Sequence, residues 1–182
     1  MNAAISENKI SEFLTENKIS EAFDLIVNQY KKQLYWHIRK IVILHEDTDD
    51  VLQNTFIKVW RYLENFKQDS KIYTWLYRIA TNEAITFINN KKKKSEEPIE
   101  NYEYYLSNTL ESDEYFEGNE AQLILQKAIL TLPEKQRIVF NMKYFDEIKY
   151  EDMSEILETS TGALKASYHH AVKKIESFIK RH

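Results

Sequence analysis

Residues 71–94 read KIYTWLYRIATNEAITFINNKKKK, and their spacing decides the fold class. Ile72, Leu76, Ile79 and Ala80 return at three- and four-residue intervals, which predicts one amphipathic helix over 71–90. The opposite stripe carries Lys71, Thr74, Arg78, Asn82, Thr86 and Asn89, and Lys91 to Lys94 extend its positive charge. Tyr73, Trp75 and Tyr77 interleave with these groups. Aromatic faces stack unpaired bases, cations track phosphates and an amide can bond a base edge, so this helix has the chemistry to hold an opened DNA strand. The same aromatics suit a core, and the lysines suit a helix end favoured by the dipole. Residue chemistry alone leaves both readings open.

Just upstream, Glu64–Ser70 (ENFKQDS) is a short polar loop built around Phe66. Beside a basic aromatic helix, such a loop can receive one flipped-out base; alternatively, Phe66 plugs the end of a core. Before it, 47–63 predicts a helix with Asp47 as N-cap, Asp49 and Asp50 in the first turn, and Leu52, Phe56, Val59, Trp60 and Leu63 buried. Asp50, Gln53, Asn54 and Arg61 project from another face, toward solvent or a protein partner. The three aspartates lack the glycine and terminal glutamate of a calcium loop, so capping is the expected role and no metal site is assigned. A further helix is expected over 23–43, with Leu25, Ile26, Tyr30, Leu34, Ile38 and Ile41 on or near one face.

The 182 residues include only 2 glycines and 2 prolines, and no alternating strand pattern occurs. An all-α chain follows. With no cysteine, thiol catalysis, disulfides and thiolate metal sites are excluded. The first residues lack the blocks of a signal peptide and no apolar run approaches a membrane span, so a cytoplasmic protein is expected. The net charge of −4 is unevenly spread. Residues 95–120 hold nine of the 29 acidic groups and none of the 25 basic ones, which leaves the remainder net positive. With Pro98 and Gly118, this segment reads as an acidic linker between two small helical domains, 20–94 and 121–182.

The second domain has its own pattern. Helices are expected over 123–132, 137–145 (Ile138, Val139 and Met142 buried) and 150–157, then a break at 158–161, then a long helix from about Gly162. Two helices across a tight turn are the helix-turn-helix spacing. On the last helix Leu164, Tyr168, Ala171, Ile175 and Phe178 form a core stripe, while Lys165, His169 and Lys173 recur every four residues on another face, with His170 and Lys174 beside them. Such a face suits a DNA groove and its phosphates. Adjacent histidines point about 100° apart on a helix and do not readily chelate one ion.

In this order the chain resembles the extracytoplasmic-function (ECF) group of bacterial RNA polymerase sigma factors, from about Ser20 to the C-terminus. DTDDVLQNTFIKVW looks like that family's polymerase-clamp-binding helix, YTWLYRIATN like its promoter-melting helix, and LPEKQRIVF with YEDMSEILETSTGALKASYHHAVKKI like its fourth domain. The resemblance implies that Asp49, Asp50, Gln53 and Asn54 meet core RNA polymerase. It implies that Phe66, Lys67, Asp69 and Ser70 receive a base of the −10 element, with Tyr73, Trp75, Arg78 and Asn82 beside them. Thr161, Lys165, Ala166, Ser167, His169, His170, Lys173 and Lys174 are then the −35 contacts. Promoter DNA, core polymerase and an anti-sigma factor are the implied partners, with no cofactor and no enzymatic activity.

Three departures stand out. Ser167, His170 and Val172 occupy positions where the family often carries arginine, Gln68 stands where a small residue is common, and 1–19 lie outside the resemblance. The rival reading is a stand-alone helix-turn-helix regulator that binds duplex DNA without polymerase. The aromatic helix with its lysine end argues against that, since a duplex reader has no need to stack bases. For an enzyme there is no phosphate-cradling glycine loop, metal cluster or nucleophile motif.

Overall fold

The computed structural model describes residues 2–94 and 120–181. The acidic linker, apart from Glu120, lies outside the described residues. The described chain is helical throughout, without a strand, and divides at Ile88/Asn89 into two compact units.

The first unit comprises α1 (Asn2–Thr15), α2 (Ile19–Val42), α3 (His45–Leu63) and most of α4 (Ile72–Lys94). α2 buries Ala22, Ile26, Tyr30, Leu34, Ile38 and Ile41, a stripe returning every three or four residues. Arg39 and Lys40 complement the dipole in its last turn. The helix stops at Ile43, whose φ of 74° and ψ of −43° close a γ-turn with the Leu44 N–H on Val42 O at 3.0 Å; its side chain is buried, and burial offsets the roughly 1–3 kcal/mol such backbone costs.

α3 differs from the sequence expectation at its start and along its buried face. It starts at His45 with Leu44 in the cap position, so Asp47 is a first-turn residue rather than the N-cap. Its buried stripe is Thr48, Val51, Leu52, Thr55, Val59 and Leu63. Thr48 donates to Leu44 O at 2.7 Å and Thr55 to Val51 O at 2.8 Å, which satisfies both hydroxyls inside the core. Phe56 and Trp60 each sit one residue past this stripe. Phe56 is therefore half-buried and Trp60 is 50% exposed, where periodicity had assigned both to the interior.

Threonine also corrects the expectation for α4. Thr74, expected on the polar stripe, is buried, as is Thr81. Thr81 donates to Tyr77 O at 2.7 Å and lies 2.8 Å from His37 Nε2 on α2. With its single proton committed to Tyr77, Thr81 accepts from His37, which places the imidazole proton on Nε2. Residues 2–19, of a segment assigned no role by sequence, are part of the fold: α1 packs on α2, with Ile10 buried and the Tyr30 hydroxyl donating to Glu7 at 3.0 Å. α1 ends in a Schellman turn. Asn17 has φ 58°, its N–H bonds Leu14 O, and the Lys18 N–H bonds Phe13 O at 2.8 Å.

The second unit contains α5 (Glu120–Leu130), α6 (Glu134–Tyr144), α7 (Tyr150–Leu157) as far as Ser154, and α8 (Thr161–Ile179). Its core joins Ala128, Ile129, Leu132, Phe140, Ala171 and Ile175, with Tyr168 and Phe178 packed against it. Pro133 takes the cap position of α6, where its missing N–H costs nothing. α7 closes on Glu158 at φ 50°, and the Thr159 N–H reaches Ser154 O. α8 opens one residue before the expected Gly162, capped by Ser160 Oγ accepting from the Ala163 N–H at 3.3 Å.

Candidate nucleic-acid interface

The side chains expected to matter fall on three surfaces, two of them on the first unit. The first is a groove of about 560 Å³ between α2 and α3, lined by Phe23, Val27 and Lys31 from one helix and Asp49, Leu52, Gln53, Phe56, Ile57 and Trp60 from the other. Phe23 meets Trp60 edge-on at 5.0 Å and Phe56 at 6.3 Å, giving the groove an aromatic wall. Asp49 and Gln53 stand on its lining; Asp50 and Asn54 are exposed but do not line it. Asp49 also pairs with His45 at 3.5 Å. Sequence reasoning missed Phe23, Val27 and Ile57. The signal available for Ile57 was its place four residues after Gln53, one helical turn along the same face.

The second surface is the loop before α4. Phe66 packs on Trp75 with ring centroids 4.9 Å apart, which joins the two residues proposed from opposite sides of the loop. Lys67 and Asp69 are exposed, Ser70 is half-buried, and Gln68 has φ 58°. A left-handed residue there explains why a small side chain suits this position. Along α4, Trp75, Arg78 and Asn82 follow at three- and four-residue steps on one side, with Asn82 exposed. Tyr73 does not join them. It packs on buried Tyr77 at 4.7 Å, on the far side of the helix.

On the second unit, Lys165, Ala166, His169, His170, Lys173 and Lys174 are exposed along α8, with Thr161 and Ser167 half-buried. Lys165 extends over the Tyr150 ring at 5.6 Å, and Lys143 lies 5.0 Å from the same ring. Burial, reinforced by Tyr168, pushes the Tyr150 phenol above its ordinary pKa. His170, Lys173 and Lys174 also line a groove with Arg181, a basic residue the sequence reading passed over although it stands seven residues after Lys174. Among the described residues, no group of three or more His, Asp or Glu could hold a metal ion.

The sigma-70 region 2 family model matches 26–94 and the sigma-70 region 4 model matches 122–175. An RNA polymerase sigma-H factor of Pseudomonas aeruginosa is 30% identical over 171 residues, covering 85% of this chain and 84% of its own. The ECF sigma factor SigW of Bacillus subtilis is 30% identical over 157 residues, 82% of this chain and 84% of its own. The chain belongs to the ECF sigma factors. Its function is therefore transcription initiation, and the stand-alone regulator is not favoured. The fold of this sigma factor is shared with CnrH, solved in complex with the cytosolic domain of CnrY (TM-score 0.69, 18% identity, 97% of this chain and 98% of that one). It is shared equally with the sigma factor RpoE of Bartonella quintana, solved with the anti-sigma factor NepR (TM-score 0.68, 17% identity, 87% and 96%). No described helix is long and apolar enough to cross a membrane.

Proposed function

We propose that this sigma factor docks on core RNA polymerase through the α2/α3 groove, with Asp49 and Gln53 at the groove and Asp50 and Asn54 beside it. The observation that carries this reading is Trp60, 50% exposed in a wall of aromatic side chains. A large exposed apolar surface rimmed by polar groups is characteristic of a protein-binding face.

Loop 66–70 then captures one unstacked base of the −10 element. Phe66 and Trp75 supply apolar faces, while Arg78 and Asn82 contact the adjoining backbone and base edge. Tyr73 holds α4 in place from behind. On the second unit, Thr161, Lys165, Ala166, Ser167, His169, His170, Lys173 and Lys174 meet the −35 duplex. Polymerase binds both units at once, so two weak DNA contacts act as one useful affinity across the acidic linker 95–120. The chain itself performs no catalysis, works in the cytoplasm and is held inactive by an anti-sigma protein that covers the same faces.

Co-elution with bacterial core polymerase tests this reading. The parent chain is expected to bind stoichiometrically, an Asp50→Ala/Gln53→Ala variant to lose binding, and Trp60→Ala to bind at least about tenfold more weakly, as interface aromatics do. A parent chain that fails to bind core polymerase overturns the proposal.

A further inference from the structure

A second basic and aromatic face lies on α2 around Trp36, which does not line the docking groove; Lys32 at its edge lines an adjoining groove with Lys31, Asp49 and Leu52. Between Asp24 and Glu46 the chain carries Lys31, Lys32, Arg39 and Lys40 and no acidic residue. Leu34, Ile38 and Ile41 point into the core and are buried. At about 100° per residue, Trp36 falls opposite that stripe, with Lys32 one turn before it, Lys40 one turn after it and Arg39 between, all within about 60° of the indole direction. Trp36 is 46% exposed. Tyr35 meets the indole edge-on at 5.3 Å and its hydroxyl lies 2.6 Å from His45 Nδ1, so the indole is buttressed from α3.

Core packing does not account for an indole placed on the side of a helix opposite its core. Membrane insertion is equally ill-suited, because the neighbouring side chains are charged along the helix axis. A base stacks on an indole whatever its sequence, and cations one turn to either side, about 6 Å along the axis, meet the flanking phosphates. We propose that Trp36, with Lys32, Arg39 and Lys40, forms a second site for single-stranded nucleic acid. Its central residue, Trp36, does not line the polymerase-docking groove, so variants at that position test the site apart from docking.

The test is binding of a dye-labelled 12-nucleotide oligo(dT) to the full chain at low salt, followed by anisotropy. Trp36→Ala is expected to weaken binding about tenfold, Trp36→Phe to retain it within about threefold, and Lys32→Ala to flatten the salt dependence by about 0.7 in log–log slope. Binding of a duplex of equal length should not change. Repeating the series in a Phe66→Ala background removes the loop before α4 from the readout. If Trp36→Ala binds oligo(dT) as tightly as the parent, or the parent does not bind it, the second site does not exist. Circular dichroism checks that the exposed substitutions leave the helices intact, and polymerase capture by the same variants reports separately on docking.

Discussion

Phe66 and Trp75 pack with ring centroids 4.9 Å apart and planes tilted by 37°, so an aromatic contact holds the loop that precedes α4 against the helix. Such a pair contributes about 0.5–1.5 kcal/mol beyond its area, and an unstacked base taking its place gains about 1–3 kcal/mol. Phe66→Ala is therefore expected to lower the yield of open promoter complex by roughly 5- to 150-fold. Polymerase binding should stay unchanged. Permanganate footprinting of the holoenzyme on a supercoiled template reads the first quantity, and equal opening by the variant sinks the base-capture role.

The Tyr30 hydroxyl anchors α1. Burial raises its pKa above the ordinary tyrosine range, first by desolvation and then by the Glu7 carboxylate. At high pH the unfolded chain loses this proton while the folded chain keeps it, so the unfolded state binds fewer protons and stability falls. The contribution is complete below about pH 10 and is lost progressively above it. Tyr30→Phe should flatten this alkaline limb and cost about 1 kcal/mol at neutral pH through the missing hydrogen bond. Urea melts at neutral and alkaline pH decide the point.

In the helix-turn-helix turn, Glu158 holds a left-handed backbone that favours glycine. Gly162 lies inside the first turn of α8, where an added Cβ meets nothing within 4 Å. Glu158→Gly and Gly162→Ala are each expected to stabilise the second unit by about 0.5–1 kcal/mol. Thermal melts check this; a loss of stability from Gly162→Ala would mean that the glycine serves the loop and not the helix.

His170 is exposed on the face of α8 proposed to meet the −35 duplex and carries no fixed charge. Arginine there adds a permanent positive charge to the exposed face of α8, and each phosphate neutralised steepens the dependence of log affinity on log salt by about 0.9. His170→Arg should therefore steepen the salt dependence of −35 binding by the polymerase-bound protein by about that amount, and an unchanged slope removes position 170 from the phosphate contacts.

The class of the fold was legible because Leu, Ile and Ala return at helical spacing in almost every segment, while glycine and proline are nearly absent. The extent of α7 agrees with expectation because Glu158–Ser160 breaks the pattern cleanly. What periodicity hid was threonine. Thr48, Thr55, Thr74 and Thr81 are all buried, and the hydroxyls of Thr48, Thr55 and Thr81 bond carbonyls of their own chain, so polar residues occupied core positions and displaced Phe56 and Trp60 outward. That displacement opened the groove. The packing of α1 was hidden for another reason: it rests on contacts with α2, among them buried Ile10 and the bond between Glu7 and Tyr30, 23 positions apart, which no local pattern encodes.

None of the 3 tryptophans fills the core. Trp60 lines the groove, Trp75 packs on Phe66 of the loop before α4 and Trp36 stands on the far side of α2. Indole emission follows the polarity around the ring, so chains that retain a single tryptophan, with phenylalanine at the other two positions, carry an optical reporter for each surface. The order in which polymerase and each strand arrive can then be timed within one molecule by stopped-flow, without attaching anything to it.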